Sequence, residues 1–212
     1  MERVFEASAQ LIRRKNKIKL GFVVYLSAQW SGDELYNFFA NDKRFETTVF
    51  LCRRVGKSTD NELFQEDFLN GIEQFKSHNL NVVQVEDRKT SVPPQDVLIF
   101  LTPYFSKLPS IFRAHNITAK TLMAHITYSF SVSVRPTEFY NDTMFHTSWK
   151  VFFSSVVTYK IFESHSTVGM PRGFFSGYPR MDIFFDKKIN SISIGKWLNR
   201  TKKKSYGLRI GQ

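Results

Sequence analysis

A single cysteine, Cys52, in a chain of 212 residues leaves no intramolecular disulfide for the fold to lean on and suits a reducing cytoplasm. No apolar run approaches the roughly 20 residues that a membrane-spanning helix needs. Arg13, Arg14 and Lys15 stand where the apolar core of a signal peptide would lie, so no such leader is expected. Several chemical signatures are missing as well: GxGxxG, the P-loop, GxSxG and HExxH do not occur. Arg53-Arg-Val-Gly-Lys-Ser58 ends like a phosphate-cradling loop but lacks its earlier glycine. One cysteine and scattered histidines do not have metal-ligand spacing, and neither a metal nor a cofactor is expected.

Acidic residues are also scarce, 19 against 30 Lys and Arg, for a formal net charge of +11. The excess is not spread evenly. Residues 187–212 hold eight Lys and Arg and no Asp or Glu, and the first twenty add +4, which leaves the middle near −1. A nearly neutral body with basic ends argues against a nucleic-acid cleft across the domain. Basic ends of this kind are either plain solvated termini or contacts to an anionic surface.

What is abundant is core material: 42% hydrophobic residues, 16% aromatic, 22 of them Phe. Glu2 to Arg14 reads as a helix with Val4, Phe5, Leu11 and Ile12 on one face and basic residues at its carboxyl end. Strands are expected at Lys19–Leu26, Phe45–Cys52, Asn81–Val85, Asp96–Leu101 and Lys120–Ala124. Between them Ser31 should cap a helix through Leu35, Phe38 and Phe39, with Glu34 closing a capping box. Phe64, Phe68, Ile72 and Phe75 mark a second helix over Glu62–His78, and a helical stretch follows near Ser110–His115. Trp149–Phe153, a helix near Tyr159–Ser164 and Gly173–Gly177 complete the pattern. Strands alternating with helices predict an α/β fold, a Rossmann-like, mostly parallel sheet with helices on both faces. Ligands of such sheets bind at the carboxyl ends of the strands.

Five histidines are the acid–base candidates. His78 and His115 end helices and complement their dipoles, while His146 and His165 lie in polar, turn-like sequence and are expected to be exposed. His125 falls where the fifth strand runs out, followed by the hydroxyls of Thr127, Tyr128 and Ser129. Two readings are open for it: a hydrogen-bonded edge histidine, or a base that takes the proton of an acceptor hydroxyl. The phenylalanines from Phe105 to Phe153 are read as core rather than stacking platforms.

Ser176-Gly-Tyr-Pro-Arg-Met-Asp182 resembles the segment that closes the N-terminal domain of bacterial CDP-glycerol glycerophosphotransferases, two-domain enzymes of GT-B type. Three other stretches follow in the family's order: Val92–Tyr104 with its Pro-Tyr ending, Ala124-His-Ile-Thr-Tyr-Ser129, and the tryptophan-centred Phe145–Ser154. The similarity spans about residues 17–186. Neither the Trp before the family's histidine nor the Gly after it is found around His125. The resemblance implies transfer of glycerol phosphate from CDP-glycerol to a lipid-linked or polymeric acceptor in cell-wall or capsule synthesis. It implies His125 as catalytic base, Tyr128 and Ser129 at the acceptor, and Gly177, Tyr178, Pro179, Arg180 and Asp182 as a structural, domain-closing motif.

On that reading residues 1–16 form a basic N-terminal helix, 17–186 the acceptor-side domain, and 187–212 a basic linker and aberrant tail. The donor-binding half would be missing. With one choice of synonymous codons for Lys203–Gln212, a reading frame shifted at Lys202–Lys204 supplies Trp-Ala-Pro-His, similar to the family's continuation, and this fragment alone is expected to be inactive. The expected location is the cytoplasm, peripheral to the inner face of a bacterial membrane. Two other functions fit the same residues: a fragment of a sugar-nucleotide glycosyltransferase of the same fold, and a non-catalytic domain that grips an anionic polymer or membrane surface.

Overall fold

A computed structural model of the chain describes residues 2–56, 62–86, 90–117, 120–127, 133–168 and 172–184, with the side chains of 182–184 excepted. Seven strands form one sheet: β1 (Ile18–Val24), β2 (Phe45–Cys52), β3 (Val82–Val85), β4 (Val97–Phe100), β5 (Leu122–Ile126), β6 (Lys150–Phe153) and β7 (Gly173–Phe175). Their order is β3-β2-β1-β4-β5-β6-β7, and every neighbouring pair is parallel. The α/β, Rossmann-like expectation holds. The chain leaves β1 for β2 and β3 on one side, then returns to β4 on the other, so the switch point lies between β1 and β4.

Apolar residues fill both faces because a parallel strand is covered on both. On one face Leu20, Phe22, Val24, Val49, Leu51 and Ile99 meet Trp30, Tyr36, Phe68 and Phe75. These last four come from the turn after β1 and from α2 (Asp33–Ala40) and α3 (Glu62–Ser77). The amphipathic α1 (Glu2–Arg13) covers the same face near the strands' amino ends, setting Ala9 and Ile12 on Leu122. On the other face Val23, Phe50, Phe100 and Met123 pack against Phe105, Leu108 and Phe112 and against Met144 of α5 (Thr143–Thr147). That layer continues through α4 (Pro136–Tyr140) and α6 (Val156–His165), where Tyr140, Phe145, Val151, Phe153 and Phe162 cluster.

Three local expectations are corrected. Ser31 does not cap α2. The cap is Gly32, with no side-chain hydrogen bond, and Ser31 is buried. Trp30 packs over this turn: its indole N–H donates to Asp33 at 2.9 Å, and its ring lies 3.0 Å from where a Cβ on Gly32 would stand. The fifth strand starts two residues late, at Leu122, whose amide donates to the Asp96 carbonyl. The helical stretch near Ser110 is two separate 3₁₀ turns, Ser110–Phe112 and Ala114–Asn116, with Arg113 extended between them. Phe112 is drawn into the core against Phe50 and Phe100, and the Asn116 amide side chain holds the Ser110 carbonyl at 2.7 Å. Both contacts oppose a continuous helix.

Candidate functional site

The carboxyl ends of the strands make one row, and the turn after β1 stands at the switch point. In many Rossmann-like folds the amides of such a turn face a phosphate. Here they face the chain's own carboxylate. Asp67 of α3 accepts from the Ser27 amide at 2.7 Å, the Ser27 hydroxyl at 2.8 Å and the Ala28 amide at 3.4 Å. Gly71, one turn further along α3, lets the helix close on the sheet: a Cβ there would lie 2.9 Å from Leu51 and 3.1 Å from the Ser27 Cβ. The turn after β1 is therefore already occupied by an anion. The sequence carries one signal for this, a carboxylate on the apolar stripe of α3 between Phe64 and Phe68.

Beside that turn, the loop after β2 presents Arg53 and Arg54. Arg54 stacks its guanidinium on Phe64, 3.9 Å from the ring centre, and Arg53 lies 3.9 Å from Glu86. The Val55 amide donates to Lys107, tying this loop to the one after β4. That second loop carries Thr102, fully buried, and Tyr104, partly exposed.

His125 is the penultimate residue of β5 and is 1% exposed. Its Nδ1–H donates to the Phe100 carbonyl at 2.9 Å, and its ring meets Phe145 edge-on at 5.5 Å. Burial pushes the imidazole down from 6.5 to about 4, and the hydrogen bond to Phe100 only partly opposes the shift. At neutral pH the ring is uncharged, with its Nδ1 proton held by the backbone. These contacts match the structural reading of His125: it bridges β4 and β5 and lies beneath the edge. Two residues on, Thr127 donates to the Phe152 carbonyl at 3.4 Å and accepts the Ser154 amide at 3.2 Å, joining the ends of β5 and β6. Tyr128 and Ser129 lie outside the described residues.

Beyond β7 the chain turns at Gly177, whose φ of +82° suits glycine. Pro179 then opens a 3₁₀ turn, Pro179–Phe184, that packs against α2. Tyr178, Pro179 and the backbone of Asp182 thus carry the chain from the edge strand back across to the first-face helices, and Arg180 is exposed. The other histidines are not gathered with His125. His78 pairs with Asp33, 3.1 Å away, and His165 meets Thr137 at 2.9 Å. His146 is half-buried rather than exposed: Asn141 and Thr167 flank its ring, and its carbonyl accepts from Arg172. No protein-family model matches the chain, and no curated protein matches it at a significant level, so a functional reading rests on the geometry of this edge and on the motifs it carries.

Proposed function

We propose that the chain is the acceptor-side domain of a transferase resembling the CDP-glycerol glycerophosphotransferases. One observation carries the reading. The carboxyl-terminal ends of the segments on which the resemblance rests leave four adjacent strands on the same edge: Thr102–Tyr104 after β4, His125–Thr127 at the end of β5, Ser154 after β6, and Ser176–Pro179 after β7. A collinear similarity that gathers along one ligand-binding edge is what a shared site would produce. The carboxylate of Asp67 supports the division of labour. With the turn after β1 closed to phosphate, the donor nucleotide is expected in a second domain outside these residues.

In the reaction an acceptor hydroxyl, resting on the loops of this edge, attacks the β-phosphorus of CDP-glycerol. The new P–O bond forms as the bond to the bridging oxygen breaks; CMP leaves and the hydroxyl proton passes to a base. The buried, backbone-bound His125 supports the edge in this scheme, and the base is a group that reaches the acceptor directly or through the donor domain. The basic ends fit a lipid-linked acceptor at an anionic surface, and among the described residues no helix is long and apolar enough to cross a membrane.

The test is to titrate the purified chain with poly(glycerol phosphate) and with CDP-glycerol. The polymer should bind, CDP-glycerol should not, and no CMP should be released above a buffer control. Saturable CDP-glycerol binding, CMP release, or indifference to the polymer would each overturn the reading.

A further inference from the structure

A cavity of about 370 Å³ opens next to the β4 loop, between Tyr104 and Phe105 on one side and Arg113, His115 and Asp142 on the other. It lies within the usual size range for small-ligand sites. Its residues come from three separate stretches that the fold brings together: the turn after β4, the 3₁₀ turns that lead into β5, and the start of α5. None of them belongs to the motifs discussed above except Tyr104.

Arg113 is the informative member. Its Nε is buried with no hydrogen-bond partner among the described residues. No carboxylate among those residues pairs with its guanidinium. A buried cationic N–H left unmade is costly, so the position calls for an acceptor. The backbone beneath it is fixed. The Arg113 amide donates to Ser110 at 3.0 Å, the Asn116 amide donates to the Arg113 carbonyl at 2.9 Å, and Phe112 is anchored in the core. The backbone that carries the Arg113 side chain is thus set by the fold. Asp142 contributes the opposite character. One carboxylate oxygen accepts the Met144 amide at 3.4 Å as the cap of α5, which leaves acceptor capacity for a hydroxyl. Tyr104 adds an aromatic face at the rim.

We propose that this cavity binds a small phosphorylated polyol, with Arg113 holding the phosphate and Asp142 accepting from a hydroxyl. A planar guanidinium matches a phosphate in two parallel hydrogen bonds. Asp142 is exposed and solvated, so the unpaired Arg113 sets the need for an anion, and a hydroxyl on the same ligand engages the Asp142 carboxylate. The proposal does not depend on the transferase reading, because binding here requires neither donor nor chemistry.

The experiment is calorimetric titration of the full chain with glycerol 3-phosphate, inorganic phosphate and glycerol, in the absence of any nucleotide. Glycerol 3-phosphate should bind saturably with a dissociation constant of roughly 1 mM or tighter. Phosphate should bind more weakly and glycerol not at all. Arg113→Gln should weaken the ester on the order of tenfold or more, with Arg113→Lys intermediate because it keeps charge but not the fork. Asp142→Ser retains a capping oxygen, and should reduce the ester's affinity to that of phosphate. Thermal midpoints identify any variant that fails to fold, and if the Gln variant does, the Lys variant carries the comparison. No saturable binding of ester or phosphate, or wild-type affinity in both Arg113 variants, overturns the site. Equal binding of ester and phosphate by the wild type overturns the role of Asp142. Binding here without any affinity for the polymer would sustain the cavity and sink the transferase reading, and the reverse result would do the opposite.

Discussion

At His125 the folded chain keeps the imidazole neutral down to about pH 4, whereas the unfolded chain protonates it near 6.5. The folded value is the lower one, so the unfolded state binds the extra proton between these limits. Stability therefore falls as pH drops from 6.5 towards 4 and stops falling, for this group, below that. The gap corresponds to on the order of 3 kcal/mol. His125→Asn keeps an amide donor for the Phe100 carbonyl but cannot titrate, so urea midpoints should lose most of their pH dependence in that window. Identical slopes for wild type and variant would mean that another group is responsible. A catalytic base of the proposed transferase would reveal itself differently, by a loss of about 10² to 10⁴ in turnover in a two-domain enzyme. The buried, backbone-bonded ring predicts a much smaller effect on turnover than on stability.

Among the elements, Asp67 fastens α3 to the turn after β1. Asp67→Ala should cost about 2 kcal/mol, since hydrogen bonds to a charged acceptor are lost and the Ser27 amide loses its partner. Thermal unfolding would check this. A variant as stable as wild type would show that water replaces the carboxylate without loss, and that the turn can accept an outside anion. How far such elements were legible depended on whether their causes were local. β2 was read to the residue because Phe45–Cys52 is an unbroken strand-forming run. The start of β5 was missed by two residues because it is set by Asp96, far back in the chain, rather than by Lys120 or Thr121. Ser31 fits the usual capping pattern, yet Gly32 takes the position and Ser31 is buried. The depth of His125 has a distant cause, since Phe145 arrives from a helix twenty residues later. Arg113 and Asp142 line one cavity although β5 and α4 lie between them in the chain, a relation that no local pattern encodes.

For the whole molecule, charge and connectivity matter more than any single contact. Residues 187–212 hold +8 of the formal +11 and lie outside the described residues. Basic residues near an anionic membrane contribute on the order of 1 kcal/mol each, and salt screens that contribution. Deleting the segment should therefore weaken sedimentation with phosphatidylglycerol vesicles and flatten its salt dependence. Unchanged binding would place the vesicle-binding surface on the folded body. At the other end, Glu2 of α1 accepts from the buried Arg172 at 2.6 Å, while Arg172 also donates to the His146 carbonyl and lies over Phe5. The order β3-β2-β1-β4-β5-β6-β7 gives this clamp a place in time. As the chain emerges from a ribosome, β1, β2 and β3 can assemble first, and the later strands then add one by one on the β1 side. Each strand after β1 finds its first neighbour already made, and β1 is the strand that waits longest for its second, because β4 appears only after β2 and β3. The contact between Glu2 and Arg172, 170 residues apart, can close only when nearly the whole sheet exists. The first helix to be made is thus among the last to be locked down.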